Sequence, residues 1–248
     1  MYNCIYDCRY CFLQGMYSSA NYVLFVNYED FANQIEATTR RFKDQEVTFF
    51  SGYDCDSLAL ENITGFASHI LPLFRDNPLA LLEFRTKSIQ IKPLDKITPI
   101  DNCIMAYSLM PDKMSLELDK KTPSIKRRIS TIKKLSEMGW KIGLRFDPLI
   151  YGKNWKDYYK ELHEEIYSSL NLNAVHSISY GPLRFPSAMY NKIFDLYPKE
   201  KLFTGPFEQN NKVISYKKEV EEEMTDYCQS ISLKHLPKSI IFKCNYEN

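Results

Sequence analysis

The sequence predicts an α/β fold: a partial (β/α)6 barrel of parallel strands with a short helix–strand extension at its carboxyl terminus. Short apolar runs alternate with longer amphipathic stretches, a pattern typical of βαβ units with right-handed crossovers. No low-complexity linker interrupts this alternation up to about residue 200. The chain has 248 residues, a length at which α/β barrels fold as single units. We therefore expect a barrel domain, 1–200, and a C-terminal extension, 201–248, packed on it.

The individual elements follow from this alternation. Apolar runs predict strands at 47–50, 81–84, 103–107, 141–146 and 175–180. Amphipathic stretches predict helices at 28–41, 58–74, 124–138, 155–169 and 186–196. Gly139 stands where a helix end turns left-handed, which fixes the end of the third helix. In the extension, 201–211 is polar and irregular, 215–230 is predicted to be helical and 239–244 to be a strand.

The charge balance gives little support to any partner class. The chain carries 32 basic and 31 acidic residues, so its net charge of +1 offers no global argument for binding nucleic acid. No stretch approaches the ~20 apolar residues that cross a bilayer, and the first residues are too polar for a signal peptide. These features predict a cytoplasmic, monomeric protein without membrane contact.

The cysteines carry the main chemical signal. Seven are present, at positions 4, 8, 11, 55, 103, 228 and 244. This odd, uneven distribution argues against a disulfide framework. Three of them fall within eight residues, and thiolates are the normal ligands of iron–sulfur clusters. A zinc site is the alternative, but zinc ligands usually come in two pairs and no second pair is present, so the spacing favours a cluster.

The run Cys4-x-x-x-Cys8-x-x-Cys11, with an aromatic residue on each side of the third cysteine, resembles the radical S-adenosylmethionine (SAM) superfamily. The resemblance implies a radical SAM barrel that binds a 4Fe-4S cluster through Cys4, Cys8 and Cys11. Three protein ligands leave one iron open for the amino and carboxylate groups of S-adenosyl-L-methionine. An electron from the cluster would then cleave the cofactor to the 5′-deoxyadenosyl radical.

The resemblance narrows to the spore photoproduct lyase-like family, in a branch outside the sporulation enzymes. The run Cys8-Arg9-Tyr10-Cys11-Phe12-Leu13-Gln14 is similar to the family's cluster loop, and shorter matches follow in order at 52–57, 85–87, 147–150 and 183–185. Together they cover about 200 residues. The implied activity is a DNA-repair lyase reaction that reverses a thymine-dimer type lesion. DNA is the implied partner, with flavodoxin or ferredoxin as electron donor.

The resemblance also implies two catalytic residues. Cys55 stands at the position of the family's hydrogen-donor cysteine, and its thiol would quench the product radical. Tyr10 matches a tyrosine that helps return the hydrogen atom to the cofactor. The family's second tyrosine is replaced by Phe12, which cannot carry a hydrogen atom. For Cys55 a role as a small buried residue is the open alternative.

Four further residues are candidates for binding, because each follows a predicted strand. Asp54 would accept hydrogen bonds from the methionine ammonium of the cofactor, and the ammonium of Lys87 suits its carboxylate. Ser108 could bond the cofactor ribose or carboxylate. Arg184 resembles an arginine that holds the phosphate or base of the lesion. Ordinary turn chemistry and solvated surface side chains are the alternatives.

The start of the chain is unusual for a barrel. The reactive loop of a barrel follows a strand, yet only three residues precede Cys4, so we expect a missing first strand and a truncated chain. Two other functions stay open. One is a radical SAM enzyme acting on another nucleic-acid or small-molecule substrate, and the other is a non-enzymatic, metal-stabilised nucleic-acid-binding module.

Overall fold

A six-stranded parallel sheet, curled into a half-barrel, forms the centre of the molecule. The computed structural model describes residues 1–42 and 44–244. All five predicted strand runs lie in this sheet, which confirms the predicted α/β partial barrel. The sixth strand comes from the end of the chain. From edge to edge the strands are Val47–Ser51, Ala80–Thr86, Cys103–Ser108, Lys141–Leu149, Val175–Pro182 and Ile241–Lys243.

Helices connect these strands and cover the convex face. The stretch predicted as one helix at 58–74 is two, because Gly65 adopts a left-handed conformation with φ 57° between them. Ser124 caps its helix, accepting a hydrogen bond from the Arg127 backbone N–H. The helices are Leu13–Met16, Tyr28–Arg41, Glu61–Thr64, Phe66–Arg75, Asp112–Leu118, Ile125–Glu137, Trp155–Ser169, Ser187–Leu196 and Lys218–Ser232.

The C-terminal region is more regular than the sequence suggests. Strands Phe207–Asn210 and Val213–Tyr216 pair antiparallel, and the second also pairs with Arg184–Pro186. The expectation of an irregular 201–211 was therefore wrong, and the helix predicted from 215 begins at Lys218. Because Ile241–Lys243 adds to the main sheet, the extension shares that sheet with the barrel; the boundary at residue 200 stays a prediction. Residues 245–248 lie outside the described residues.

The core fills the space between sheet and helices. Its largest fully buried side chains include Trp140, Phe84, Tyr107 and Phe146. On the outer side of Val47–Ser51 no strand pairs among the described residues, and an apolar cavity of about 670 Å³ lies there instead. None of the helices described is both long and apolar enough to cross a membrane.

Candidate active site

The cysteine loop, residues 4–11, lies at the carboxyl ends of the sheet strands. A short antiparallel bridge holds it there: Asp7 and Cys8 pair with Lys120 and Asp119. The Arg9 backbone N–H donates to the Leu118 carbonyl at 2.8 Å, extending the bridge by one hydrogen bond. The loop is thus anchored by a segment more than 100 residues further along the chain.

A cavity of about 400 Å³, hereafter the first cavity, opens between the cysteine loop and the strand ends. This is the edge at which barrel enzymes place their reactive groups. Eight of the nine candidate residues line it. They are Cys4, Cys8, Tyr10, Cys11, Cys55, Lys87, Ser108 and Arg184.

Asp54 is the candidate that the structure separates from the others. It lines the second cavity, the apolar one beside Val47–Ser51, and its buried Oδ1 has no hydrogen-bond partner among the described residues. Its neighbour Asp56 faces the first cavity instead. Cys55 borders both cavities. The role proposed for Asp54 in cofactor binding therefore has less geometric support than the others.

The three loop cysteines are free thiols in a partly buried setting. Burial raises the pKa of Cys4 to about 12. Burial also raises the pKa values of Cys8 and Cys11, while the positive charge of Lys87 acts in the opposite direction on both. Metal binding must therefore release protons from these thiols, and a cation beside them assists that release.

The donor set fits an iron–sulfur cluster better than a single ion. Among residues 1–42 and 44–244, no three His, Cys, Asp or Glu side chains converge on one ion position. A 4Fe-4S cluster does not need such convergence, because each cysteine binds a different iron atom. Cys4, Cys8 and Cys11 share the wall of one cavity, and the Cys11 backbone N–H donates to the Cys8 carbonyl at 3.0 Å. The arrangement suits thiolates spread around a cluster.

A buried ionic network, hereafter the ionic network, lies beneath the loop and consists of Tyr10, Lys87, Asp119 and Arg128. Arg128 Nη2 lies 2.8 Å from Asp119 Oδ2, and both side chains are fully buried. Lys87 Nζ lies 3.8 Å from Asp119 Oδ1, and the Tyr10 hydroxyl donates to the same oxygen. No sequence motif singles out Asp119 or Arg128, the latter of which stands in a basic run on helix Ile125–Glu137.

Asp56 positions the turn that carries Lys87. Its Oδ2 accepts from the Lys87 backbone N–H at 2.6 Å, and its Oδ1 accepts from the Thr86 hydroxyl at 2.7 Å. The loop can approach this closely because of Gly52, whose φ is 85°. A Cβ at Gly52 would lie 2.9 Å from the Ser57 backbone nitrogen. Thus the loop after Val47–Ser51 is tied to the end of the neighbouring strand.

Arg184 lies at the mouth of the first cavity, where it pairs with Asp147. The two Nη–Oδ distances are 3.1 and 3.3 Å, a two-point contact between guanidinium and carboxylate. Side chains of both residues are about a quarter exposed, at 23% and 27%. A partly exposed guanidinium held in this way can face an anionic group in the cavity.

The aromatic residues flanking Cys11 have different surroundings. Tyr10 is 7% exposed, and its ring faces the Lys87 ammonium at 5.2 Å. Phe12 packs against Tyr53 with ring centroids 5.9 Å apart. Because Tyr53 is 73% exposed, the Phe12 position opens toward the cavity rim rather than the core.

The sequence of this chain matches a known protein family over nearly its whole length. The family model described as spore photoproduct lyase matches residues 2–242. The chain belongs to the spore photoproduct lyase family. It is 23% identical over 202 residues to the spore photoproduct lyase of Bacillus subtilis, and 24% over 202 residues to that of Clostridium acetobutylicum. In both cases the match covers 80% of this chain and 59% of the relative, so the chain spans about three fifths of their length.

Solved structures of spore photoproduct lyase share the fold. One, complexed with dinucleoside spore photoproduct, superimposes with a TM-score of 0.85 at 18% identity, covering 98% of this chain and 74% of that one. A variant with bound AdoMet and dinucleoside spore photoproduct gives the same TM-score, identity and coverage. At this identity the likeness establishes the half-barrel architecture.

Proposed function

We propose that the protein is a radical SAM lyase that reverses a spore-photoproduct type lesion in DNA, with a 4Fe-4S cluster on Cys4, Cys8 and Cys11. One observation carries the proposal: the three cysteines share a cavity with Cys55 at the carboxyl end of the half-barrel of a spore photoproduct lyase family member. When bound, the cluster would supply the electron that cleaves S-adenosyl-L-methionine to the 5′-deoxyadenosyl radical.

The residues of the first cavity divide into three roles in this proposal. Lys87 and Ser108 bind the cofactor, because they lie at the ends of neighbouring strands and line the first cavity together with the cysteine loop. Arg184 holds the anionic backbone of the lesion at the cavity mouth, oriented by Asp147. Cys55 donates a hydrogen atom to the product radical. Burial raises the pKa of the Cys55 thiol to about 11, which keeps the S–H bond intact near neutral pH.

A repair assay with matched variants tests the reaction. Reconstituted protein is incubated without oxygen with S-adenosyl-L-methionine, a chemical reductant and dinucleoside spore photoproduct, and the nucleoside products are separated. We expect wild type to release two thymidines per lesion, because the methylene bridge is the bond that joins the two nucleosides. Cys55→Ala should still form 5′-deoxyadenosine but give miscoupled products, whereas Cys103→Ala, changed at a buried strand cysteine, should behave as wild type. Clean repair by Cys55→Ala would refute the donor role.

A different substrate is the second candidate, and Phe12 is the observation that favours it. A phenylalanine cannot return a hydrogen atom, so the return route of the family is incomplete at this position. In the same assay, 5′-deoxyadenosine formation without any released thymidine would point to another nucleic-acid or small-molecule substrate. A monomeric state, a flavodoxin or ferredoxin donor and a cytoplasmic location stay predictions.

A further inference from the structure

We propose that the buried pair Asp119–Arg128 is a positioning device that fixes Tyr10 and Lys87 against the cysteine loop and sets the charge balance around the cluster. Both residues act through others, since their side chains are fully buried. The inference rests on the proposed function, because it concerns the environment of a bound cluster.

Asp119 is the hub of the ionic network. Its Oδ1 accepts the Tyr10 hydroxyl and lies 3.8 Å from Lys87 Nζ, while its Oδ2 is held by Arg128 at 2.8 Å. Its backbone pairs with that of Cys8 in the short antiparallel bridge. One residue therefore fixes the main chain of the loop, the tyrosine between two cluster cysteines and the lysine beside them.

Arg128 holds Asp119 rigidly. Its Nε donates to the Pro123 carbonyl at 2.9 Å, and its Nη1 donates to the Ser108 carbonyl at 3.1 Å. Nη2 also donates to the Thr122 hydroxyl at 2.6 Å. With every nitrogen of the guanidinium engaged, the planar group has no freedom to turn away from the carboxylate. Arg128 also links the network to the end of the strand that carries Ser108.

The network itself carries one anion and two cations, a net charge of +1, and the Asp56 carboxylate, which accepts from the Lys87 backbone N–H at 2.6 Å, lies beside it. An unbalanced buried cation is costly unless an anion is nearby, and the cluster thiolates would provide one. Asp119 Oδ2 lies 2.8 Å from Arg128 Nη2 and its Oδ1 lies 3.8 Å from Lys87 Nζ, so two cations favour the ionised carboxylate.

This charge balance has opposite consequences for two variants. The potential of an iron–sulfur cluster depends on nearby charge, since each added negative charge disfavours the reduced form. Asp119→Asn removes a negative charge and should favour reduction. Lys87→Gln removes a positive charge and should favour oxidation. Tyr10→Phe changes no charge and is the matched control.

The test is a redox titration of the reconstituted cluster, followed by electron paramagnetic resonance without S-adenosyl-L-methionine. At one fixed solution potential, we expect the ratio of reduced to oxidised cluster to rise roughly tenfold in Asp119→Asn and to fall roughly tenfold in Lys87→Gln. This is the effect of a unit charge at about 10 Å and an effective dielectric constant of about 20. It corresponds to about 59 mV for one electron. Tyr10→Phe should stay within threefold of wild type.

The outcomes separate this inference from the proposed function. If wild type binds no cluster, the proposed function fails. If wild type binds the cluster but both charge variants match wild type, or both shift in the same direction, the positioning device is refuted. Should Asp119→Asn fail to fold, Lys87→Gln alone decides, because an unchanged or increased reduced fraction in that variant contradicts the proposal.

Discussion

Two of the buried polar networks in this half-barrel differ in charge, and the comparison shows what each region requires. The ionic network beneath the cysteine loop contains three charged groups, Asp119 and the two cations beside it, Lys87 and Arg128. The second, hereafter the neutral network, lies between the main sheet and helix Lys218–Ser232 and contains no ion pair among the described contacts. It consists of His163, Tyr167, Tyr180 and Ser232, with the Tyr159 carbonyl at its end.

The neutral network has a single consistent direction of hydrogen bonding. His163 Nδ1 lies 2.6 Å from the Tyr159 carbonyl, which can only accept, so Nδ1 carries the proton. His163 Nε2 then accepts from the Tyr180 hydroxyl at 2.9 Å. Tyr180 in turn accepts from Ser232, and Ser232 accepts from Tyr167. Each donor has one acceptor, and no charge is needed.

The contrast indicates what each region must do. Docking a helix onto a sheet requires only satisfied buried groups, which neutral hydroxyls and an imidazole supply at low desolvation cost. A site that accepts several thiolates must provide positive charge, although burying charge is costly. We therefore expect the charges of the ionic network to serve the site at a cost in folding stability.

The largest effect should follow from breaking the ion pair. Arg128→Met leaves the buried Asp119 carboxylate with Lys87, at 3.8 Å, as its remaining cation among the described residues, and loss of one partner of a buried pair costs roughly 3–5 kcal/mol. The measurement is the free energy of unfolding in urea. Arg127→Met, on the exposed face of the same helix, is the control and should change it by less than about 0.5 kcal/mol. Equal losses of unfolding free energy in Arg128→Met and Arg127→Met would contradict a special role for the buried arginine.

The neutral network should make the folding stability depend on pH. Burial lowers the pKa of His163 to about 4 from an ordinary value of 6.5. A base with a lowered folded-state pKa contributes stability above pH 6.5 that is lost as pH falls toward 4, on the order of 3 kcal/mol here. We measure the free energy of unfolding between pH 7 and 4. In His163→Gln its decrease with falling pH should be smaller by this contribution, whereas the exposed control His69→Gln should retain the full decrease. A slope unchanged in His163→Gln would mean that the imidazole is not held neutral.

A smaller loss is expected when one hydroxyl is removed from the neutral network. Ser232→Ala leaves the Tyr167 and Tyr180 hydroxyls without their shared partner, which costs about 1–3 kcal/mol. Urea unfolding measures it, with Ser230→Ala on the exposed side of the same helix as the control. A larger loss of unfolding free energy in Ser232→Ala than in Arg128→Met would contradict the expected order of the two networks.

The smallest stability effect is expected at the cavity mouth. Arg184→Lys weakens the two-point contact with Asp147, but the pair is partly exposed and contributes at most about 1 kcal/mol. Binding of a dinucleotide spore photoproduct, which keeps its bridging phosphate, should nevertheless weaken by roughly tenfold, since lysine cannot present the planar guanidinium. Unchanged affinity in an equilibrium binding assay would exclude Arg184 from the substrate site.

Local sequence patterns predicted much of the fold. The helices Tyr28–Arg41 and Trp155–Ser169 match their predicted bounds, because their apolar residues recur at helical spacing. The hairpin Phe207–Tyr216 was missed since its strands are short and partly exposed, without a clear alternation. The predicted helix at 58–74 divided at Gly65, a residue whose backbone conformation the helical pattern does not encode.

The sequence predicted the site residues that lie in short local motifs, and it did not predict those that meet only in the folded chain. The three loop cysteines and Cys55 were found from residue type and order, and they share one cavity. Asp119 lies more than 100 residues from Tyr10, so no local pattern joins them. Arg128 belongs to a basic run on an amphipathic helix, and only the packed structure distinguishes it from its exposed neighbours.

The most direct test of the account is the metal and cofactor content of the reconstituted protein. After anaerobic reconstitution, the account predicts about four iron and about four sulfide per chain, a reduced-cluster signal, and 5′-deoxyadenosine from S-adenosyl-L-methionine. All three should be lost when Cys4, Cys8 and Cys11 are replaced together by alanine. A colourless wild-type protein with one zinc per chain and no 5′-deoxyadenosine would contradict it.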